Sequence, residues 1–197
     1  MRALAEADAD LGEVVARHGS PPLWGREPGF PTLLRIILEQ QVSLASARAT
    51  YERLLTAIPT LTPAALLNLD DAALRTAGFS RQKASYARDL ARSLADRTLD
   101  LVDLESKSDD DARLELTRLR GIGTWSADIY LLMALRRSDI WPRSDLALAT
   151  AALEVKRLDR RPAPDELERL AARWRPWRAV AARILWHHYL STRRRHD

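Results

Sequence analysis

Residues 119–125 read Leu-Arg-Gly-Ile-Gly-Thr-Trp, "LRGIGTW", and place two glycines within three positions between apolar segments of helical period. Only 7 glycines occur in 197 residues, so this pair needs a reason. A bare backbone can turn tightly with positive φ at Gly121 and Gly123, leaving open the N–H groups of the turn and of the next helix's first turn. With a helix dipole behind them, Arg120, Gly121, Ile122, Gly123 and Thr124 form a seat for an anion, most naturally a phosphate. A structural reading competes with this one: Gly121 caps the preceding helix and Gly123 serves packing.

Working outward, helical periodicity runs from end to end and is broken by short turns. An amphipathic helix is predicted over about residues 3–18, followed by "GSPPLWGREPGF", whose three prolines and three glycines forbid regular structure. "PTLLRIILEQQVSLASARATYERLLTAI" opens with Pro31 near a helix start and carries a nearly unbroken apolar face, which makes it central to the core. Two short helices follow around residues 63–76, the first capped by Thr62, and then a long helix capped by Ser80. Asp109 to Leu119 forms a helix that runs into the glycine pair, and "TWSADIYLLMALRR" is helical beyond it. "SDIWPRS" breaks the chain at a proline before "DLALATAALEVKRL" resumes; "RRPAPDELERLAARW" and "RPWRAVAARILWHHYL" complete the pattern. The fold class is all-α, and no internal repeat is present.

Composition narrows the chemistry. A hydrophobic content of 46% is ample for an interior, and the mix of Ala, Leu, Arg and Glu favours helix. The absence of cysteine removes disulfides, thiolate zinc sites, iron–sulfur clusters and cysteine nucleophiles. No apolar run approaches the roughly 20 residues of a membrane span, and the acidic, amphipathic N-terminal stretch is unlike a signal peptide. The expectation is a soluble protein of the bacterial cytoplasm. Net charge is +4, but from Arg136 onward 15 Lys/Arg oppose 8 Asp/Glu, so the C-terminal third is the basic one. That polarity suits an anionic partner such as nucleic acid, although a solvated arginine-rich surface gives the same count.

The hairpin and its surroundings, "LRGIGTWSADIYLLMAL" followed by "DIWPRSDLAL", resemble the helix-hairpin-helix (HhH-GPD) DNA glycosylases, most closely the branch of bacterial 3-methyladenine DNA glycosylase II. Three further segments resemble that branch in the same order: "LLRIILEQQVSLASA", "AGFSRQKASYARDLA" and "RWRPWRAVAARILW". Together they span roughly residues 30–190. The resemblance implies two helical lobes in one compact unit over residues 1–197, with the hairpin at about 109–135 and an active-site cleft between the lobes. It also implies loss of the additional N-terminal domain of the larger relative. Arg120 stands where the family usually has proline, which adds a cation beside the expected phosphate.

A glycosidic bond to a base breaks through a sugar cation, and a nearby carboxylate is the group that chemistry requires. The resemblance assigns it to Asp145, at a helix start where negative charge is stabilised; locally, Asp145 or Ser144 could equally be a plain helix cap. It assigns the base pocket to Trp125, Trp186, Ile129 and Leu146, the last two standing where the family carries aromatics. A tryptophan face attracts an electron-poor alkylated base by roughly 0.5–2 kcal/mol. Gln40 and Gln41 are placed at the DNA-facing end, against the alternative of a hydrogen bond at a helix end. The wedge that fills the hole left by a flipped base is assigned to Arg81, with Phe79 a neighbour able to intercalate. A monovalent cation, Na+ or K+, is implied on the backbone carbonyls of Thr117, Arg120 and Ile122, and no organic cofactor.

The hairpin lysine of strand-cleaving members is replaced by Trp125, and the three lysines, Lys83, Lys107 and Lys156, lie elsewhere. His187 and His188 adjoin Trp186 but form no spaced metal-ligand set. The expected protein is a monomeric, monofunctional glycosylase for double-stranded DNA containing alkylated bases. Its rivals are a glycosylase for another lesion, a non-catalytic DNA-binding module and a helical adaptor.

Overall fold

The computed structural model describes residues 1–193; residues 194–197, the end of the arginine tail, lie outside the described residues. In chain order the helices are α1 (Arg2–Ala7), α2 (Ala9–His18), α3 (Phe30–Glu39), α4 (Leu44–Ala57), α5 (Pro63–Leu67) and α6 (Asp71–Ala77). They continue with α7 (Arg81–Ala95), α8 (Asp109–Thr117), α9 (Thr124–Met133), α10 (Leu146–Val155), α11 (Pro164–Ala171) and α12 (Arg178–Arg193). Among the described residues there is no strand, and none of the helices is long and apolar enough to cross a membrane. The chain divides into two compact units. One is contiguous, residues 26–135; the other joins residues 1–25 to 136–197.

In the contiguous unit α3 is the central helix. Leu33, Leu34, Ile36 and Ile37 are wholly buried as it packs against α4, α7 and α9, each side chain contributing on the order of 1.5–3 kcal/mol. Thr62 and Ser80 cap α5 and α7 as their sequence positions predict. The long helix expected from Pro31 onward is two helices. The chain leaves α3 at Gln40, Gln41 takes the left-handed conformation (φ +56°), and Ser43 starts α4 by accepting from the Ser46 N–H at 3.2 Å. The apolar face continues across the break, which is why periodicity alone does not reveal it.

The second unit packs α12 against α10 and α2. Here too one predicted helix is two: Asp8 leaves helical geometry (φ −135°, ψ 100°) between α1 and α2 and accepts from the Leu11 N–H. Its carboxylate also receives Lys156 Nζ at 2.5 Å and Trp174 Nε1 at 2.8 Å. Three tertiary and capping bonds thus outweigh one more turn of continuous helix. Arg178, at the start of α12, holds the loop before α10 through a two-pronged pair with Asp139, both contacts at 2.9 Å.

Burial works to raise the Asp8 carboxyl, but the bonds from Lys156, Trp174 and Leu11 outweigh it and hold the group below its ordinary value of 3.8. Its stabilisation is therefore present above that value and is lost as pH falls through the folded-state value. Asp8→Ala is expected to lower unfolding stability at neutral pH by about 2–4 kcal/mol. Urea melts from pH 7 down to pH 3 would check this, with the gap between wild type and variant narrowing below about pH 4.

Candidate active site

The hairpin joins α8 to α9 through residues 118–123. Ser108 caps α8, with three aspartates, Asp109 to Asp111, in its first turn. The turn closes by a bond from the Ile122 N–H to the Leu119 carbonyl at 3.0 Å, and the Ile122 side chain is anchored in the core. The two glycines do different jobs. Gly121 has φ +89°, and a Cβ there would stand 2.3 Å from Cγ of Tyr86 on α7, so it is bare because a ring lies against it. Gly123 does not share that conformation, contrary to expectation. Its φ is −87° and ψ 175°, and a Cβ would meet nothing within 4 Å. Nothing in the protein demands a glycine at 123; its effect is to leave the start of α9, which has no side-chain cap, exposed together with Thr124. Arg120 is exposed, its guanidinium carbon 5.9 Å from the Tyr86 ring centre.

Two side chains fix this turn. The Gln40 carboxamide donates to the Gly121 carbonyl at 2.8 Å and to Ser126 Oγ at 2.9 Å, tying the end of α3 to both sides of the hairpin. Arg113 on α8 pairs with the fully buried Asp128 on α9 at 2.6 Å, locking the helices together. Lys83 Nζ in turn donates to the carbonyls of Leu38 and Gln40, closing the α3 terminus. Burial of that ammonium lowers its proton affinity. Gln40 thus bonds at a helix end, one of its two sequence readings, and the partner is the hairpin.

Of the other predicted residues in this unit, Trp125 sits half-buried in the first turn of α9 and Ile129 is buried one turn on. Gln41 is exposed at the α3–α4 turn, and Arg81 is exposed as the first residue of α7. Phe79 is 4% exposed and belongs to the core, so of the two wedge candidates only Arg81 stands in solvent. The carbonyls of Leu119 and Gly121 are engaged by the Ile122 N–H and by Gln40. Those assigned to a cation are the intervening ones of Arg120 and Ile122, with Thr117 ending α8, a set of neutral oxygens suited to a monovalent ion.

The candidate carboxylate lies in the second unit. Ser144 turns the chain with φ +60°, and Asp145 caps α10, its Oδ1 accepting from the Leu148 N–H at 2.8 Å. The same oxygen faces Trp186 Nε1 of α12 at 3.4 Å. Asp145 and Trp186 are each 8% exposed, while Leu146 beside them is 68% exposed. The structure therefore brings Asp145 and Trp186 together, as the sequence suggested. It adds an aromatic that sequence reasoning missed: Trp24, from the proline- and glycine-rich segment, stands at 77° to Trp186 with ring centres 6.5 Å apart. His187 and His188 point elsewhere, to the His18 carbonyl and to Glu154, and among the described residues no group of three or more His, Cys, Asp or Glu side chains is placed to hold a metal ion.

A hairpin of this build and a capping aspartate one helix later define a class, and the comparisons give it. Residues 34–176 match the HhH-GPD superfamily base excision DNA repair protein family, and the chain belongs to that superfamily. YfjP of Bacillus subtilis is 29% identical over 89% of this chain and 64% of its own length. DNA-3-methyladenine glycosylase 2 of Escherichia coli is 27% identical over 90% of the chain, again 64% of its own length. The chain thus spans less than two thirds of these two relatives. Among solved structures, 3-methyladenine DNA glycosylase Mag1 of Schizosaccharomyces pombe, in complex with abasic DNA, superposes with a TM-score of 0.86 at 25% identity, covering 93% of this chain and 92% of that one.

The unequal roles of the two glycines are measurable. Gly121→Ala, which meets a ring at a positive φ, is expected to cost about 2–4 kcal/mol. Gly123→Ala should cost less than about 1 kcal/mol. Thermal unfolding of the two variants and of Gly121→Ala/Tyr86→Ala would check this, the double variant recovering part of the loss.

Proposed function

We propose that the chain is a monofunctional DNA glycosylase that hydrolyses the N-glycosidic bond of alkylated bases of the 3-methyladenine and 7-methylguanine type, leaving an abasic site in base excision repair. The observation that carries this reading is Asp145, whose Oδ1 accepts from the α10 amide of Leu148 and faces the Trp186 indole N–H. A carboxylate held as an acceptor in a nearly closed position stabilises positive charge on the sugar and orients water toward C1′. The bond to the base breaks with its electron pair leaving on the base. A cationic methylated purine thereby departs neutral, without needing a proton from an acid. Water then bonds to C1′ and yields its proton to solvent through Asp145.

Hydrolysis is favoured over strand cleavage because each lysine already serves the fold: Lys83 closes α3, Lys107 pairs with Asp103 and Glu115, and Lys156 with Asp8 and Asp10. The exposed start of α9, with Gly121, Gly123 and Thr124, takes a backbone phosphate, joined by Na+ or K+ on the carbonyls of Thr117, Arg120 and Ile122. Arg120, Gln41 and Arg81 lie on the DNA side, Arg81 as wedge, and Trp125 and Trp186 serve the base. The protein acts as a monomer on double-stranded DNA in the bacterial cytoplasm. The identities of the relatives and the abasic DNA bound by Mag1 support this assignment.

Incubation with methylated duplex DNA, followed by chromatography of the released bases, tests it. Wild type is expected to release 3-methyladenine or 7-methylguanine. Asp145→Asn, which keeps a good helix cap, should release them at least about 100-fold more slowly while still binding duplex DNA, with affinity that falls steeply with salt. A folded wild-type protein that binds DNA and releases no base would overturn the assignment.

A further inference from the structure

The aromatic surface available beside Asp145 is not the one that sequence points to. Trp186 is 8% exposed and its N–H is turned to Asp145, so little of its own surface is open. Trp24 is half-buried and stands against Trp186 at 77°, so the two rings form perpendicular walls, the outer one partly in solvent. A planar base whose sugar carbon reaches Asp145 lies within a ring's breadth of Trp186 and can stack flat on one wall with its edge to the other.

The placement of Trp24 is over-determined. Its backbone is left-handed at φ +46°, a conformation a bulky residue adopts only when its surroundings impose it. Arg183, 7% exposed on α12, donates to the carbonyl of Leu23, the residue before it. Trp186 follows Arg183 by three positions, on the same helix face. His187 adds a third contact, its ring centre 6.4 Å from that of Trp24 at 50°. A buried arginine, a strained backbone and two rings of α12 thus hold one half-exposed indole beside the carboxylate. That is the arrangement expected of a preorganised contact surface.

We infer that Trp24 is a specificity-determining residue, forming with Trp186 the seat for the extruded base and selecting electron-poor, cationic heterocycles by its ring face. This rests on the glycosylase reading above. The test uses Trp24→Leu, which keeps bulk but removes the aromatic face, and Trp24→Phe, which restores one. Both are compared with wild type in single-turnover release of 7-methylguanine and in affinity for two duplexes, one bearing the lesion and one an abasic-site analogue with no base to stack. Trp24→Leu is expected to lose about 2- to 30-fold in lesion affinity or release rate, to bind the abasic duplex as wild type does, and to melt within a few degrees of it. Trp24→Phe should recover most of the loss. Equal losses on both duplexes, or Trp24→Leu behaving as wild type on both, would overturn the inference alone. No base release by wild type would instead remove the glycosylase reading and this seat with it.

Discussion

The Gln40 carboxamide bonds the Gly121 carbonyl and the Ser126 hydroxyl at once, and much of the contiguous unit is arranged so that it can. It sits where α3, the central helix of that unit, runs out, and its side chain reaches across the hairpin. Lys83 satisfies two carbonyls that the break to α4 leaves without helical partners, those of Leu38 and Gln40. Tyr86, one turn further along α7, lies against Gly121, where a Cβ would clash with its ring. The hairpin is therefore held by Gln40 and Tyr86 and, through its own helices, by the Arg113–Asp128 ion pair, while Gly123 and Thr124 at the start of α9 are exposed. A rigid turn with open donors costs little reorganisation when an anion arrives.

In the second unit, one contact serves both the helix start and the proposed chemistry. Asp145 begins α10 by the bond any helix-capping aspartate makes, and that bond aims the carboxylate at the indole of α12. Capping and the indole contact do not compete here, because one carboxylate oxygen accepts from the Leu148 amide and also faces Trp186 Nε1. Asp8 shows the same economy for stability: one carboxylate caps α2 and receives Lys156 and Trp174.

Much of this was legible in the sequence because it is local. The glycine pair, the caps at Thr62 and Ser80, the break at Pro142 and the start of α10 at Asp145 are all short-range signals. What escaped depends on partners far along the chain. Gln40 finds Gly121 81 residues away, and no periodicity announces it. The break at Asp8 is set by Lys156 and Trp174, which a helical pattern cannot register. Trp24 was hidden for a different reason: its proline- and glycine-rich segment reads only as irregular, and its position follows from Arg183. Phe79 stood beside the wedge position as a neighbour able to intercalate, and burial places it in the core.

The order of the two units along the chain bears on how the molecule is made. Residues 26–135 are contiguous, and their contacts can form as soon as that stretch has left the ribosome. The other unit cannot close until residues beyond 136 arrive, because the apolar stripe of α2, Leu11 and Val14, is covered by α10 and α12. Its long sequence separations make it the slower to assemble. The hairpin can thus close before the unit that carries Asp145 has all of its partners.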